Sequence, residues 1–204
     1  MIDPSILRFI AITDNVRDGQ AGLIERASAA VRGGATCVQL RLKDISARDL
    51  VTLARELVRS IGVPVIVNDR ADVAIAAGAA GVHLGADDLP VIAVRAFSPE
   101  GFIIGTSVGT DEEIRNARGA DYVGIGPVFS TGSKNDAGKA IGVDEFRRLA
   151  VATGLPAVGI GGITASNARS VIEAGALGVA AIAAVFGATD PLVAAQEMAS
   201  AIGR

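Results

Sequence analysis

Four times along the chain the pattern Gly-Ala-x-x-Val recurs: Gly34-Ala35-Thr36-Cys37-Val38, Gly78-Ala79-Ala80-Gly81-Val82, Gly119-Ala120-Asp121-Tyr122-Val123 and Gly175-Ala176-Leu177-Gly178-Val179. Each copy follows a stretch of helical character and precedes an apolar run. The glycine therefore reads as a left-handed cap closing a helix, and the residues after it as the start of a strand. The copies begin 44, 41 and 56 residues apart, too far for one helix and one strand but right for two such pairs. Other strands fall between them, at Val63 to Asn68, Phe102 to Ser107 and Pro156 to Ile160, and Arg8 to Thr13 precedes the first copy. The count of strands is eight.

The intervening stretches carry helix signals. Ser46 is placed to cap a helix running to about Ser60, with apolar positions at Leu50, Leu53, Ala54 and Leu57. Thr110-Asp111-Glu112-Glu113 reads as a capping box ahead of Ile114 to Arg118. Further helices are expected at about Gly22 to Arg32, Ala71 to Ala77, Pro90 to Phe97, Val143 to Ala152, Ala165 to Ala174 and Leu192 to Ile202. Strand and helix alternate eight times, and the strands are near-continuous apolar runs of the kind buried on both faces in a parallel sheet. An α/β chain of this pattern is best accommodated by a closed (β/α)8 TIM barrel, compact beside the roughly 250 residues usual for that fold. A doubly wound open sheet is the alternative, and the even repetition over the whole chain favours closure. Nothing resembling a linker interrupts the 204 residues, so one domain over 1–204 is expected.

Composition excludes several classes of function. No apolar run approaches the roughly 20 residues needed to span a bilayer, and the N-terminus lacks a basic segment followed by an apolar block, so neither a membrane partner nor an export signal is expected. The single cysteine, Cys37, rules out an internal disulfide. Together these features predict a cytoplasmic protein. A net charge of −3 and 3% aromatic residues give no footprint for nucleic acid. The sequence leaves oligomeric state open, and a homo-oligomer is compatible with it.

In a barrel of this kind chemistry sits where strands end and loops begin. Along Gln39-Leu40-Arg41-Leu42-Lys43 an extended strand would put Gln39, Arg41 and Lys43 on one face, a row of donors suited to an anion rich in oxygens; the alternative is a strand end whose charges simply reach solvent. Asp69 and Asp88 close neighbouring strands and could converge as hard oxygen ligands for Mg2+, or each could cap the next helix. Gly161-Gly162, beside the turn at Ile182 and Ala183, matches the phosphate site that many barrels build after strands 7 and 8, with a helix expected to start near Thr164. The polar loop from Pro127 to Asp136 exceeds the usual length for its connection; Thr131, Ser133 and Lys134 in it are candidate phosphate contacts, or the loop is merely solvated. His83 is the only histidine, which excludes a multi-histidine zinc site, and a structural histidine is the simpler reading of it. A metal site and many phosphate binders, without an evident nucleophile or general base, suggest departure of a diphosphate by electrostatic stabilisation.

The ordered set Gln-x-Arg-x-Lys (39 to 43), Asn-Asp (68 to 69), His-Leu-Gly-x-Asp-Asp (83 to 88), Gly-x-Ser (105 to 107), Gly-Pro-Val-Phe-x-Thr-x-Ser-Lys (126 to 134) and Gly-Ile-Gly-Gly-Ile (159 to 163) resembles the thiamine phosphate synthase family over nearly the whole chain. The resemblance implies a (β/α)8 transferase of thiamine biosynthesis. It would join 4-amino-2-methyl-5-hydroxymethylpyrimidine diphosphate to a thiazole phosphate through a dissociative carbocation mechanism, releasing pyrophosphate. By position, it implies Mg2+ at Asp69 and Asp88, and diphosphate contacts from Arg41, Lys43, Asn68 and Lys134. Gln39 and Ser107 would face the pyrimidine and its leaving group. Thr131 and Ser133, with backbone at Gly161, Gly162, Ile182 and Ala183, would hold the thiazole phosphate.

Three positions depart from the family pattern: Leu42 stands where Glu is common, Ala86 where Gln is common and Ala183 where Ser is common. None removes a charge from the donor row or the metal pair. A thiazole tautomerase on the same scaffold is the nearest alternative; it is expected to lack the full diphosphate and metal set and to carry a histidine where this chain has Pro127. A non-catalytic sensor of thiamine phosphates is the alternative from another class.

Overall fold

The computed structural model describes residues 3–14, 18–131 and 139–203. A 3-10 turn at Pro4–Leu7 leads into eight strands: β1 Phe9–Ile12, β2 Cys37–Leu40, β3 Val65–Asn68, β4 Gly81–Leu84, β5 Ile103–Val108, β6 Tyr122–Ile125, β7 Ala157–Ile160 and β8 Gly178–Ala181. They pair in chain order, every pair parallel, and β8 closes on β1. The helices between them are α1 Gly19–Arg32, α2 Ala47–Ser60, α3 Ala71–Ala77, α4 Val91–Phe97, α5 Asp111–Asn116, α6 Gly142–Thr153 and α7 Ala168–Glu173; α8 Ala183–Phe186 and α9 Pro191–Ala201 follow β8. The fold is a (β/α)8 TIM barrel. Among the described residues no helix is long and apolar enough to cross a membrane.

Because successive strand residues face opposite ways, the barrel has two cores. Ile10, Ile12, Cys37, Ile66, Ile103, Tyr122, Val158 and Ala180 point inward and pack with Leu7 as a plug. Their strand neighbours, such as Ala11, Val38, Val67, Val82, Ile104, Val123 and Val179, face outward and are covered by the helices, for example by Leu50, Leu53, Ala54 and Leu57 of α2. The glycines that open the four repeats all adopt left-handed φ: Gly34 at 116°, Gly78 at 70°, Gly119 at 87° and Gly175 at 100°. Ser46 caps α2 by accepting a hydrogen bond from Asp49 N–H, and Thr110 with Glu113 forms the expected capping box.

Three expectations need correction. The strand carrying Gln39 stops at Leu40, so Arg41 and Lys43 stand on the loop beyond it rather than on an extended strand. The helix after Gly161-Gly162 begins at Ala168, not near Thr164, because Asn167 Oδ1 accepts from Thr164 N–H and holds residues 164–167 as a separate turn. The four-residue helix α8, which begins at Ala183, was not expected: Ile182 and Ala183 read as a turn alone, and the helix has no side-chain cap to announce it.

Candidate active site

The strand ends open on one cavity of about 920 Å³ at the C-terminal mouth of the barrel. Its wall takes Arg41 and Lys43 from the loop after β2, Asn68 and Asp69 from the end of β3, His83 and the Gly85-to-Asp88 loop from β4, and Ser107 from β5. Thr131 and Lys139 come from the connection after β6, Gly161 and Gly162 from the loop after β7, and Ile182 and Ala183 from the loop after β8.

The cationic side is set by Thr13. Its fully buried hydroxyl accepts from Arg41 N–H at 2.9 Å and donates to Arg41 C=O at 3.0 Å, fixing the backbone where β2 has ended. Leu42 packs against the outer core, so Arg41 and Lys43 share the cavity side even without a strand beneath them. Asp44 then turns the chain away with φ 60°.

The acidic side depends on a second left-handed residue. Asn68 is the last residue of β3 and faces inward; continuing the strand would send the next side chain outward. Asp69 instead takes φ 64°, a conformation Asp tolerates better than most residues, and lines the cavity while its N–H donates to His83 C=O at 2.8 Å. Asp88 accepts from Gly85 N–H at 2.6 Å, which anchors its carboxylate through one oxygen. Among the described residues no cluster of three or more His, Cys, Asp or Glu is poised to hold a metal. Two hard oxygen donors facing one cavity fit a cation that takes most of its ligands from water and substrate oxygens, as Mg2+ does.

Across the mouth, Gly161 (φ 92°) and Gly162 (φ 65°) bring bare backbone to the cavity. Their conformation is enforced from behind: a Cβ on Gly161 would fall onto Pro127, and one on Gly162 would lie 2.6 Å from Ser130 O. Phe129 N–H donates to Gly161 C=O at 3.0 Å and Val128 N–H to Ile160 C=O at 2.8 Å, so the start of the β6 loop is stitched onto this turn. Asn167 Nδ2 holds Gly162 C=O at 2.9 Å. Beside the turn, Ile182 leads into α8, whose first N–H groups have no partner one turn earlier in their own helix. A double-glycine turn next to a short helix start after β7 and β8 is the arrangement with which TIM barrels bind phosphate.

Beneath the cavity lies a buried polar chain. His83 Nδ1 is 3.0 Å from the Tyr122 hydroxyl and His83 Nε2 is 3.1 Å from Ser107 Oγ. Burial pushes the Tyr122 phenol well above the ordinary tyrosine range. Cys37, in the same interior, is pushed up to about 12 by burial alone.

Of the residues singled out in the sequence, Arg41, Lys43, Asn68, Asp69, Asp88, Ser107, Thr131, Gly161, Gly162, Ile182 and Ala183 line the one cavity. Gln39 does not; it is buried, 4% exposed. Ser133 and Lys134 lie outside the described residues. Sequence reasoning missed Lys139 and Glu113 on the wall. Glu113 had been seen only as a capping residue, and Lys139 follows the polar loop just past the point where it was taken to end. Pro127, where a tautomerase would carry histidine, also lines the cavity.

A (β/α)8 barrel with cations, carboxylates and a double-glycine turn around the C-terminal mouth has the make-up of an enzyme. Residues 9–185 match the thiamine monophosphate synthase family. The thiamine-phosphate synthase of Moorella thermoacetica is 46% identical over 202 residues, covering 96% of this chain and 95% of that one. That of Roseiflexus castenholzii is 48% identical over 192 residues, covering 92% of this chain and 84% of that one. Among solved structures, thiamine phosphate pyrophosphorylase from Pyrococcus furiosus superposes with a TM-score of 0.85 at 36% identity, covering 98% of this chain and 96% of that one. A 3-hexulose-6-phosphate synthase shares the fold, with a TM-score of 0.76 at 20% identity over 96% of this chain and 100% of that one. The chain belongs to the thiamine monophosphate synthase family, a family of transferases.

Proposed function

We propose that this protein couples 4-amino-2-methyl-5-hydroxymethylpyrimidine diphosphate to a thiazole phosphate, giving thiamine phosphate and pyrophosphate. The observation that carries the reading is that one cavity is lined both by Arg41 and Lys43, with Asp69 and Asp88, and by the Gly161-Gly162 and Ile182-Ala183 turns, two groupings suited to two phosphate-bearing ligands. Two phosphate-bearing substrates need two such groupings within reach of each other.

In this reading Arg41, Lys43 and Asn68, with Lys134, hold the diphosphate. Ser107 meets the leaving group, and Gln39, which does not line the cavity wall, contributes no direct contact to it. Thr131 and Ser133 hold the thiazole phosphate with backbone at Gly161, Gly162, Ile182 and Ala183. Asp69 and Asp88 would hold Mg2+, which when bound neutralises charge on the diphosphate oxygens. The bond from the pyrimidine methylene carbon to the diphosphate oxygen breaks first, its electron pair leaving with pyrophosphate. The thiazole nitrogen then donates its lone pair to the resulting pyrimidine-stabilised cation. No protein nucleophile is required; the residues orient both partners and stabilise the departing charge.

A pyrophosphate-release assay with both substrates tests this. Wild type should release pyrophosphate only when both are present, and Asp69→Asn should lose about 10²-fold or more in kcat at unchanged fold. Isomerisation of a thiazole precursor without pyrophosphate would make the protein a tautomerase; binding without turnover would make it a sensor.

A further inference from the structure

The polar chain beneath the cavity joins three strands and ends on a cavity residue. The Tyr122 phenol meets His83 Nδ1, and His83 Nε2 meets Ser107 Oγ. Tyr122 is 1% exposed and His83 9%. The strands are shaped around these two rings. A Cβ on Gly105 of β5 would fall onto the Tyr122 ring, and one on Gly124 of β6 would lie 3.0 Å from His83 Cε1. Glycine inside a strand is unfavourable on its own account and marks a close approach; here two of them seat an aromatic pair whose centroids are 5.5 Å apart.

The chain can run in two directions, and they differ in what Ser107 offers the cavity. If Ser107 donates to His83, the ring proton sits on Nδ1 and faces the phenol oxygen, and Ser107 presents only lone pairs to a ligand. If Tyr122 donates to Nδ1, the ring proton sits on Nε2 and faces Ser107 Oγ, and the serine hydroxyl proton is left to point at an acceptor in the cavity. The phenol stays protonated and has one proton to give. The imidazole nitrogen 3.0 Å away is a strong acceptor for that proton. We propose that Tyr122 is a positioning residue that, through His83 as its Nε2–H tautomer, makes Ser107 a hydrogen-bond donor to the departing anion. The catalytic half of this inference rests on the coupling reaction proposed above. The tautomer does not.

His83 is the only histidine, so imidazole ¹⁵N spectra of the labelled wild-type protein report it alone. They should show a protonated Nε2 and a bare, hydrogen-bond-accepting Nδ1; a protonated Nδ1 with a bare Nε2 overturns the proposal whatever reaction the protein catalyses, and needs no variant to fold. The functional half is a double-mutant cycle on pyrophosphate release. Tyr122→Phe keeps the ring against Gly105 and should lower kcat about tenfold, the worth of one hydrogen bond, with KM within about twofold. In a Ser107→Ala background the same change should have almost no effect. An equal loss in both backgrounds, or none in either, overturns the positioning role. Absence of pyrophosphate release in wild type defeats the coupling reaction instead and leaves the tautomer result to stand by itself.

Discussion

Gly162→Ala tests whether the phosphate turn and the β6 loop are one mechanical unit. At φ 65° an L-residue costs roughly 1–2 kcal/mol more than glycine. The new methyl would also lie 2.6 Å from Ser130 O, 2.8 Å from Phe129 Cβ and 2.9 Å from Phe129 C, atoms of backbone or next to it rather than the far end of a flexible side chain. Residues 128–131 must therefore shift, weakening the bonds from Val128 N–H to Ile160 C=O and from Phe129 N–H to Gly161 C=O, each worth about 1 kcal/mol. The expected loss is about 2–4 kcal/mol, a fall in Tm of roughly 5–15 °C for a chain of this length. Thr131 ends the displaced segment and lines the cavity, so affinity for the thiazole phosphate should fall with stability while affinity for the pyrimidine diphosphate changes much less. Thermal unfolding and calorimetric titration with each substrate measure both. A variant with unchanged Tm and unchanged thiazole phosphate affinity would refute the coupling of turn and loop.

Thr13→Val keeps the shape of a fully buried side chain but removes both bonds to the Arg41 backbone. It should cost about 2–3 kcal/mol in urea unfolding and raise KM for the pyrimidine diphosphate selectively; an equal rise for both substrates counts against Thr13 as the anchor of Arg41. Alkaline stability should follow the buried interior. The Cys37 thiol is pushed up to about 12 in the folded protein and ionises near its ordinary value of 9.0 when unfolded, so stability is intact below pH 9 and declines as pH rises toward 12. Urea midpoints between pH 8 and 10.5 should show that decline, and Cys37→Ala should flatten it, leaving a residual slope from Tyr122, whose phenol is shifted in the same direction.

The barrel was legible because its signals are local. The repeat glycines at 34, 78, 119 and 175 fall where each chain segment turns into a strand, and caps such as Ser46 and Thr110 act within four residues of themselves. The rim was legible for a related reason: once eight parallel strands close in order, their C-terminal ends must surround one mouth, which puts Asp69 and Asp88 on the wall of the same cavity without any contact being foreseen. What escaped was decided by contacts between distant segments. Leu40 ends β2 because Thr13, 28 residues before Arg41, takes over the next backbone bonds. Tyr122 reads as an ordinary interior residue, and its link to His83 spans 39 residues. A cue was present in Gly105 and Gly124, small residues inside apolar strands, but a glycine shows only that something comes close.

The interior shows why a barrel this compact can seat a histidine and a tyrosine at all. Large inward groups lean over glycines of other strands: Ile103 of β5 over Gly81 of β4, Tyr122 of β6 over Gly105 of β5, and His83 of β4 over Gly124 of β6, two strands away; Gly178 of β8 similarly receives the backbone of Leu7 and Arg8. Alternation of large and small lets the plug close without forcing side chains off their rotamers. It also ties the mouth to what lies behind it. Arg41 is held by Thr13, Ser107 by His83, and Gly162 by Asn167 and the β6 loop. None of these supports needs to touch a ligand, and each fixes a group that lines the cavity. Changes in that supporting layer should therefore be felt first as lost alignment at the mouth, in kcat or in the KM of one substrate, and only secondarily as lost stability of the barrel.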